Sequence, residues 1–541
     1  MGIPSYFSYI IKNHSNIIRT LQYHQSISCT SFNSLYMDCN SIIYDSFREI
    51  EKHPSSENIE KSIIDAVIIN IKKYVQFIKP RKILYIAFDG VAPFAKMEQQ
   101  RTRRYKTHFM SKINMDKLSF EATQKQVLWN TTAITPGTNF MNELSNRIQN
   151  EFMNKEHIYG TKNIIVSGST EVGEGEHKMY EHIRNNPCKE NVAIYGLDSD
   201  LIMLSIFHLE YCKNIHIFRE APVFGDLADK KSTKDSKLPL FLDIEKLSQS
   251  ILQEMYCKYT NENRIHDYVF MCFFLGNDFL PHFPALNIRT SGIQILIDTY
   301  RNLLGKYENR YFIENKKIVW KNVHMFIKDL AKNENNFILG EYTQRNKVEM
   351  KKWPNENNKD RENMLTNIPT IFRAEEKYIC PQEPYWEERY YNCLFENSGP
   401  NHETFTKLVS INYLEGLEWV YKYYTQGCPH WKWKYNYHYP PLLTDLVKHV
   451  PQKDTVEFIT PNDSKPFSPY AQLCYVLPKD YLNLLPKPVE NHLNQHYSHL
   501  YDISPRLQWA FCKYLWEAHM QNQTIDLATL EIIERDLKNL S

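Results

Sequence analysis

Seven carboxylates fall where the chain changes character: Asp38 in LYMDCN, Asp89 in YIAFDGVAP, Glu174 and Glu176 in GEGEHK, Asp198 and Asp200 in YGLDSDL, and Asp278 in FFLGNDFLP. Their neighbours are mostly apolar, so these acids follow buried structure and do not belong to a solvated charge run. Glu174/Glu176 and Asp198/Asp200 are spaced i,i+2, which puts both members of each pair on one face of an extended or turning segment. Any one of the seven, taken alone, reads as a helix cap or a surface group. Gathered together they would repel one another strongly unless divalent cations neutralised them. Hard oxygen ligands of this kind suit Mg²⁺ or Mn²⁺. A two-metal site for phosphodiester hydrolysis accounts for the set, with one ion activating a water and both stabilising the transition state and leaving oxygen.

Directly after Asp89 comes GVAPFAKMEQQRTRRYK. Gly90 and Pro93 suit a turn, and the remainder has helical spacing. Lys96, Gln100 and Arg103 then share one helical face, with Arg104 beside them. Arginine offers paired hydrogen bonds to a phosphate and lysine a point charge. Standing alone, such a segment reads as a solvated basic helix. Its place immediately after a candidate metal ligand favours phosphate binding.

The elements that must position these groups are legible as alternating runs. Apolar stretches rich in β-branched and aromatic residues occur at 35–37, 83–88, 164–166 and 192–195, with helical periodicity between them. That alternation predicts an α/β fold with a mixed, largely parallel central sheet flanked by helices. Sites in open α/β sheets lie beyond the carboxyl ends of the strands, where these acids are expected. The polar stretches 226–237 and 341–367 read as surface loops or linkers. The division expected is a catalytic nuclease region over 1–340, a linker over 341–376, and a second, mainly helical and aromatic-rich region over 377–541 that ends in one or two helices.

Composition bounds the rest. The 541 residues hold 64 Lys and Arg against 63 Asp and Glu, so any nucleic-acid surface must be local. Eleven Cys occur without a CxxC pair or zinc spacing and read as ordinary reduced thiols. No apolar signal core opens the chain and no apolar run reaches membrane-spanning length. Gly2 invites a myristoylation check, but Tyr6 stands where Ser or Thr is expected. A soluble, intracellular monomer is expected, in cytoplasm, nucleus or a viral replication compartment.

In order along the chain, MGIPSYF, LYMDCNSII, AFDGVAPFAKMEQQRTRRYK, ITPGTNFM, GEGEHK, YGLDSDLIML, FMCFFLGNDFLPHFPALNIR, WEERYYN, GCPHWKWKYNYHYPPLLTDL and SKPFSPYAQLCYVLP resemble the Xrn/Rat family of 5′-to-3′ exoribonucleases. The resemblance implies a core like that of the PIN and flap nucleases, with the second region wrapping the active site. It implies that the seven acids hold two Mg²⁺ ions, which Mn²⁺ can replace. It implies that Lys96, Gln100, Arg103 and Arg104 form a pocket for the 5′-monophosphate of single-stranded RNA, too small for a cap or triphosphate. Nucleoside monophosphates would be released one at a time, in RNA decay or processing. A His and a Trp stack on bases in the family. Tyr44 occupies the His position here, and either Trp431 or Trp433 would be its partner. Phe94 stands where an Arg is common, which makes the pocket edge less cationic.

Two rival functions are weighed against this. A flap-type DNA nuclease would follow Asp278 with a Gly-rich hairpin, whereas FLPHFPALNIRTSG follows it. A catalytically inactive RNA-binding relative would have lost acids, and all seven are present.

Overall fold

Short β-branched and aromatic runs form the strands, and amphipathic segments form the helices that cover them. The computed structural model describes residues 2–14, 17–20, 31–52, 58–118, 129–196, 198–220, 239–395, 402–453, 456–460, 464–501, 506–521 and 525–540. Strands β1 (Ile18–Thr20), β2 (Ser34–Asp38), β3 (Ile83–Ala87), β4 (Asn163–Ser167), β5 (Val192–Tyr195), β6 (Ile215–Arg219) and β7 (Leu240–Asp243) make one sheet in the order β1-β7-β6-β5-β2-β3-β4. The β2–β3, β3–β4, β2–β5 and β5–β6 pairs are parallel. The two pairs at one end of the sheet, β6–β7 and β1–β7, are antiparallel. The sheet is therefore mixed and largely parallel, as expected. The four predicted runs are β2 to β5, while β1, β6 and β7 carry no prediction.

Chain order runs outward from β2 in both directions, through β3 and β4 on one side and β5 and β6 on the other. Such a reversal opens a crevice at the carboxyl end of the central strand. Asp38 is the last residue of β2. One face of the sheet is covered by helices Asn40–Lys52, Ile59–Ile78 and Asn139–Phe152, and the other by Gly175–Asn185, Asp200–Phe207, Ile244–Met255 and Arg264–Cys272. Residues from the C-terminal region continue the second core through the His402–Thr425 helix. A third cluster packs Phe94 and Met97 against residues 467–537.

The stretch expected as a linker is mostly helical. Glu334–Glu349, Asn358–Thr366 and Ile368–Ile371 are helices. Buried Arg345 donates to Glu376 at 2.9 Å, and Arg373 pairs with the same carboxylate. Its polar composition reflects helices with mostly exposed faces and internal ion pairs, a pattern that hydropathy alone reads as loop. The 226–237 stretch lies outside the described residues. After residue 505 a short antiparallel pair, Arg506–Gln508 with His519–Gln521, precedes one closing helix, Leu527–Leu540. No helix among the described residues is long and apolar enough to cross a membrane.

Glu334 ties the start of the Glu334–Glu349 helix to a distant turn of the chain: its two carboxylate oxygens accept the Leu443 and Thr444 amides at 2.6 and 2.9 Å. Burial lifts this carboxyl to about 7. Because the folded pKa lies above the unfolded one, the Glu334 contribution to stability falls as pH rises from about 4.5 to 7. Glu334→Gln puts an NH₂ group against one of the amides, and we expect a loss of about 1–3 kcal/mol in urea unfolding. An unchanged midpoint would mean that this tie does not stabilise the fold.

Candidate active site

Each acid is delivered by the end of a sheet element or a tight turn. Asp38 ends β2, Asp89 follows β3, and Glu174 and Glu176 flank the first residue of the Gly175–Asn185 helix. Asp198 follows β5, Asp200 opens the Asp200–Phe207 helix, and Asp278 follows the helical turn Phe273–Leu275. Glu174, Glu176 and Asp200 are buried, Asp38, Asp89 and Asp278 are half-buried, and Asp198 is exposed. All seven converge at the carboxyl edge of the sheet. Burial first, then Asp89 and Asp198, pushes the Asp38 carboxyl well up. Burial and then Asp200 do the same to Glu176. Burial and then Asp278 lift Asp200 to about 7.

The GEGEHK motif owes its central glycine to close approach. Gly175 N–H donates to Asp89 Oδ1 at 2.7 Å, and a Cβ on it would stand 2.9 Å from Asp38 Oδ1. Its place at a helix N-terminus also favours negative charge there. Asn40 braces Asp89 from the other side, accepting the Asp89 amide at 3.1 Å and donating to its carboxylate.

Lys96 stands among the acids, 2.6 Å from Glu174 and 2.8 Å from Asp278. Against burial, Asp278 and Glu174 hold this ammonium protonated. Against burial likewise, Lys96 holds the Asp278 carboxyl below the usual range. Among the described residues, no group of three or more His, Cys, Asp or Glu is arranged to hold a metal ion. The Lys96 ammonium draws two carboxylates toward itself. Even so, Asp38 Oδ1, Glu176 Oε2 and Asp200 Oδ1 are buried without a hydrogen-bond partner. Unpaired carboxylate oxygens inside a like-charged cluster fit hard divalent cations.

The basic segment is the Phe94–Leu118 helix. Gln100 is buried, Arg104 half-buried and Arg103 exposed. Arg104 donates to Thr135 Oγ1 at 2.7 Å and to Gln100 Oε1 at 3.3 Å. Burial and Arg103 lower its pKa to about 10, while Tyr44 and Asp89 act the other way. Half-buried Tyr44 is thus a neighbour of the Arg104 guanidinium. Phe94, expected at the edge of a phosphate pocket, is not exposed. It is buried against Phe467 and Tyr475, with ring centroids 5.9 and 5.1 Å away.

The two tryptophans separate clearly. Trp433 is buried and stacked on Trp419 at 5.3 Å, with its indole N–H on Glu415 at 3.2 Å. Trp431 is half-buried, and its carbonyl accepts the Phe94 amide at 2.8 Å, at the start of the basic helix.

Several groups at the site carried no sequence expectation. Tyr423 donates to Glu174 Oε1 at 2.7 Å and stacks on His177, and the Tyr424 phenol lies beside Asp200. Their helix is aromatic throughout, so composition did not single them out. Thr135 and Gln472 were open to a partial reading, since each lies in a motif already noted. Gln472 accepts the Ala92 amide at 2.9 Å.

Gly2 is the least expected participant. Its N–H donates to Asp278 Oδ1 at 3.1 Å, its φ is +57°, and a Cβ on it would lie 1.8 Å from Asp200 Oδ1. Gly2→Ala should cost about 1–2 kcal/mol for the left-handed backbone and displace Asp200 as well. Turnover should fall more than stability does. Wild-type turnover with a normal melting temperature would show that the N-terminal segment only rests on the acids.

Two family models match the chain: the XRN 5′-3′ exonuclease N-terminus over residues 1–221, and the Xrn1 helical domain over 258–383 and 379–509. The 5′-3′ exoribonuclease 1 of Saccharomyces cerevisiae is 26% identical over 639 residues, covering 93% of this chain and 41% of its own length. The human 5′-3′ exoribonuclease 1 is 28% identical over 567 residues, covering 93% and 32%. The 5′-3′ exoribonuclease 2 homolog of Drosophila melanogaster is 25% identical over 622 residues, covering 93% and 67%. The chain thus spans less than half the length of the yeast and human relatives. A solved structure, the catalytic core of Rad2 in complex with DNA substrate, aligns at a TM-score of 0.32 and 14% identity over 64% of this chain and 80% of that one.

Proposed function

The chain belongs to the Xrn/Rat family of 5′-to-3′ exoribonucleases, and from that premise we propose that it degrades single-stranded 5′-monophosphate RNA to nucleoside monophosphates. The observation that carries this reading is the convergence of seven carboxylates beside a basic helix whose Arg104 is already held in place by Thr135 and Gln100. Two bound Mg²⁺ ions, held by Asp38, Asp89, Glu174, Glu176, Asp198, Asp200 and Asp278, would supply an activated water and charge for the reacting phosphate.

The protein's own groups do the rest. Arg104 and Gln100 present hydrogen bonds to the 5′-phosphate, with Arg103 and Lys96 adding positive charge. Preorganisation matters because a guanidinium already fixed by two acceptors loses little freedom when phosphate arrives. Tyr44 stacks on a leading base beside Arg104, and Trp431, tied to the start of the same helix, is its partner. Because each cleavage leaves a new 5′-monophosphate, the pocket sets the direction of travel. The division into a catalytic region over 1–340 and a second region that closes the site, acting as a monomer, belongs to the same reading.

Stacking contributes about 1–3 kcal/mol per base. Tyr44→Ala is therefore expected to lower kcat/KM about tenfold or more, while Tyr44→Phe and Tyr44→His stay near wild type. Equal activity of all three would remove stacking at this position. Single-stranded RNA, single-stranded DNA and a DNA flap should be compared in Mg²⁺. Faster hydrolysis of the DNA flap would replace the exoribonuclease reading with that of a structure-specific DNA nuclease.

A further inference from the structure

Two of the eleven cysteines, free thiols as expected, lie side by side. Cys188 and Cys212 lie on neighbouring backbones joined as a parallel β-bridge, with the Cys188 amide on Tyr211 O at 3.0 Å. That pairing sets their side chains next to each other, and the two Sγ atoms are 3.4 Å apart in a thiol–thiol hydrogen bond. Cys188 is half-buried and reachable, whereas Cys212 is buried behind it. The arrangement is that of an attacking thiol with a resolving thiol in place.

We propose that Cys188 and Cys212 form a dithiol modification site, converted by a hydroperoxide into an intramolecular disulfide that clasps the segment carrying Asp198 and Asp200. Cys188 thiolate attacks the peroxide, breaking its O–O bond to give Cys188 sulfenic acid and hydroxide. Cys212 sulfur then attacks Cys188 sulfur, the S–S bond forms, and the sulfenic oxygen leaves as water with the Cys212 proton. Two thiols are oxidised by two electrons and one peroxide is reduced to two waters.

The surroundings favour the first step. The hydrogen bond with Cys212 lowers the Cys188 thiol to about 6 against the effect of burial. The Glu190 backbone and Lys82 act in the same direction, and the Glu190 carboxylate opposes them. The Tyr36 phenol, bonded to His182 at 3.0 Å, also faces the pair. Of the two, Cys188 is therefore the more readily ionised, and the Cys212 thiol is pushed up. Cys188 lies just before β5 and Cys212 just before β6, so the bond closes a loop that contains β5 and the Asp200–Phe207 helix. Closing it restricts the unfolded chain, and a higher melting temperature follows.

The test treats the full chain with stoichiometric hydrogen peroxide, blocks remaining thiols and maps peptides without reduction. The expected product is a Cys188–Cys212 crosslink lacking two hydrogens, reversed by dithiothreitol, with a melting temperature a few degrees higher. At neutral pH, iodoacetamide should label Cys188 before half-buried Cys380. In Cys212→Ser, Cys188 should stop at the sulfenic acid and be trapped by dimedone, while Cys188→Ser should lose the crosslink altogether. A wild-type chain that gives Cys188 sulfinic acid, a crosslink elsewhere, or no preference for Cys188 over Cys380 would overturn the proposal.

Discussion

Asp200→Ala is expected to cut Mg²⁺-dependent turnover of 5′-monophosphate RNA by roughly 10²–10³-fold, the usual cost of losing one preorganised electrostatic contact at a reacting centre. Asp200 opens a buried helix with one oxygen unpaired, and burial with Asp278 lifts it to about 7. Its folded pKa exceeds the unfolded value near 4, so without metal its contribution to stability falls as pH rises from about 4 to 7. The alanine variant escapes that loss. At pH 8 without metal, its melting temperature should equal or exceed that of the wild type, and the rise on adding Mg²⁺ should be smaller. Activity and stability therefore move in opposite directions, which a simple folding defect cannot produce. Wild-type turnover in Mg²⁺ would remove Asp200 from the metal-binding set.

The second large effect is discrimination among RNA ends. A 5′-monophosphate end should be degraded about 10- to 100-fold faster than a 5′-hydroxyl end, because a hydrogen bond to a charged group contributes about 1.5–3 kcal/mol. Triphosphate and capped ends should resist. Arg104 remains cationic at neutral pH even though burial lowers it to about 10. Arg104→Leu should bring the monophosphate-to-hydroxyl ratio close to one and leave binding of the single strand largely intact. Comparable decay of all four ends by the wild-type protein would exclude the pocket.

What the sequence made legible was local. Asp38, Asp89, Asp198 and Asp200 each follow or open an element whose apolar run is readable by itself, so their convergence needed only the α/β rule. Gly175 was readable as part of a motif, although its reason, the approach of Asp38 and Asp89, is a tertiary one. Edge strand β1 was not readable from its three residues, because it is completed only by antiparallel pairing with β7, Ile18 opposite Leu242. The helices between 341 and 367 were missed because exposed faces and ion pairs replaced the apolar stripe. Trp431 and Trp433 are two residues apart in one motif, and only packing on Trp419 separates them. Tyr423 and Tyr424 reach the acids from a segment with no catalytic signature, and Gly2 from MGIPSYF, a motif with no charged side chain of its own.

The bond between Ala92 N and Gln472 Oε1 joins residues 380 positions apart. Tyr423 reaches Glu174 from 249 positions away, and Trp431 closes on Phe94. During synthesis at about 5–20 residues per second, roughly 20–75 s separate the emergence of Ala92 from that of Gln472. The acids and the basic helix come early, and the groups that lock them come last. On the ribosome, the growing chain therefore holds an unfinished site close to the message that encodes it until the aromatic half arrives.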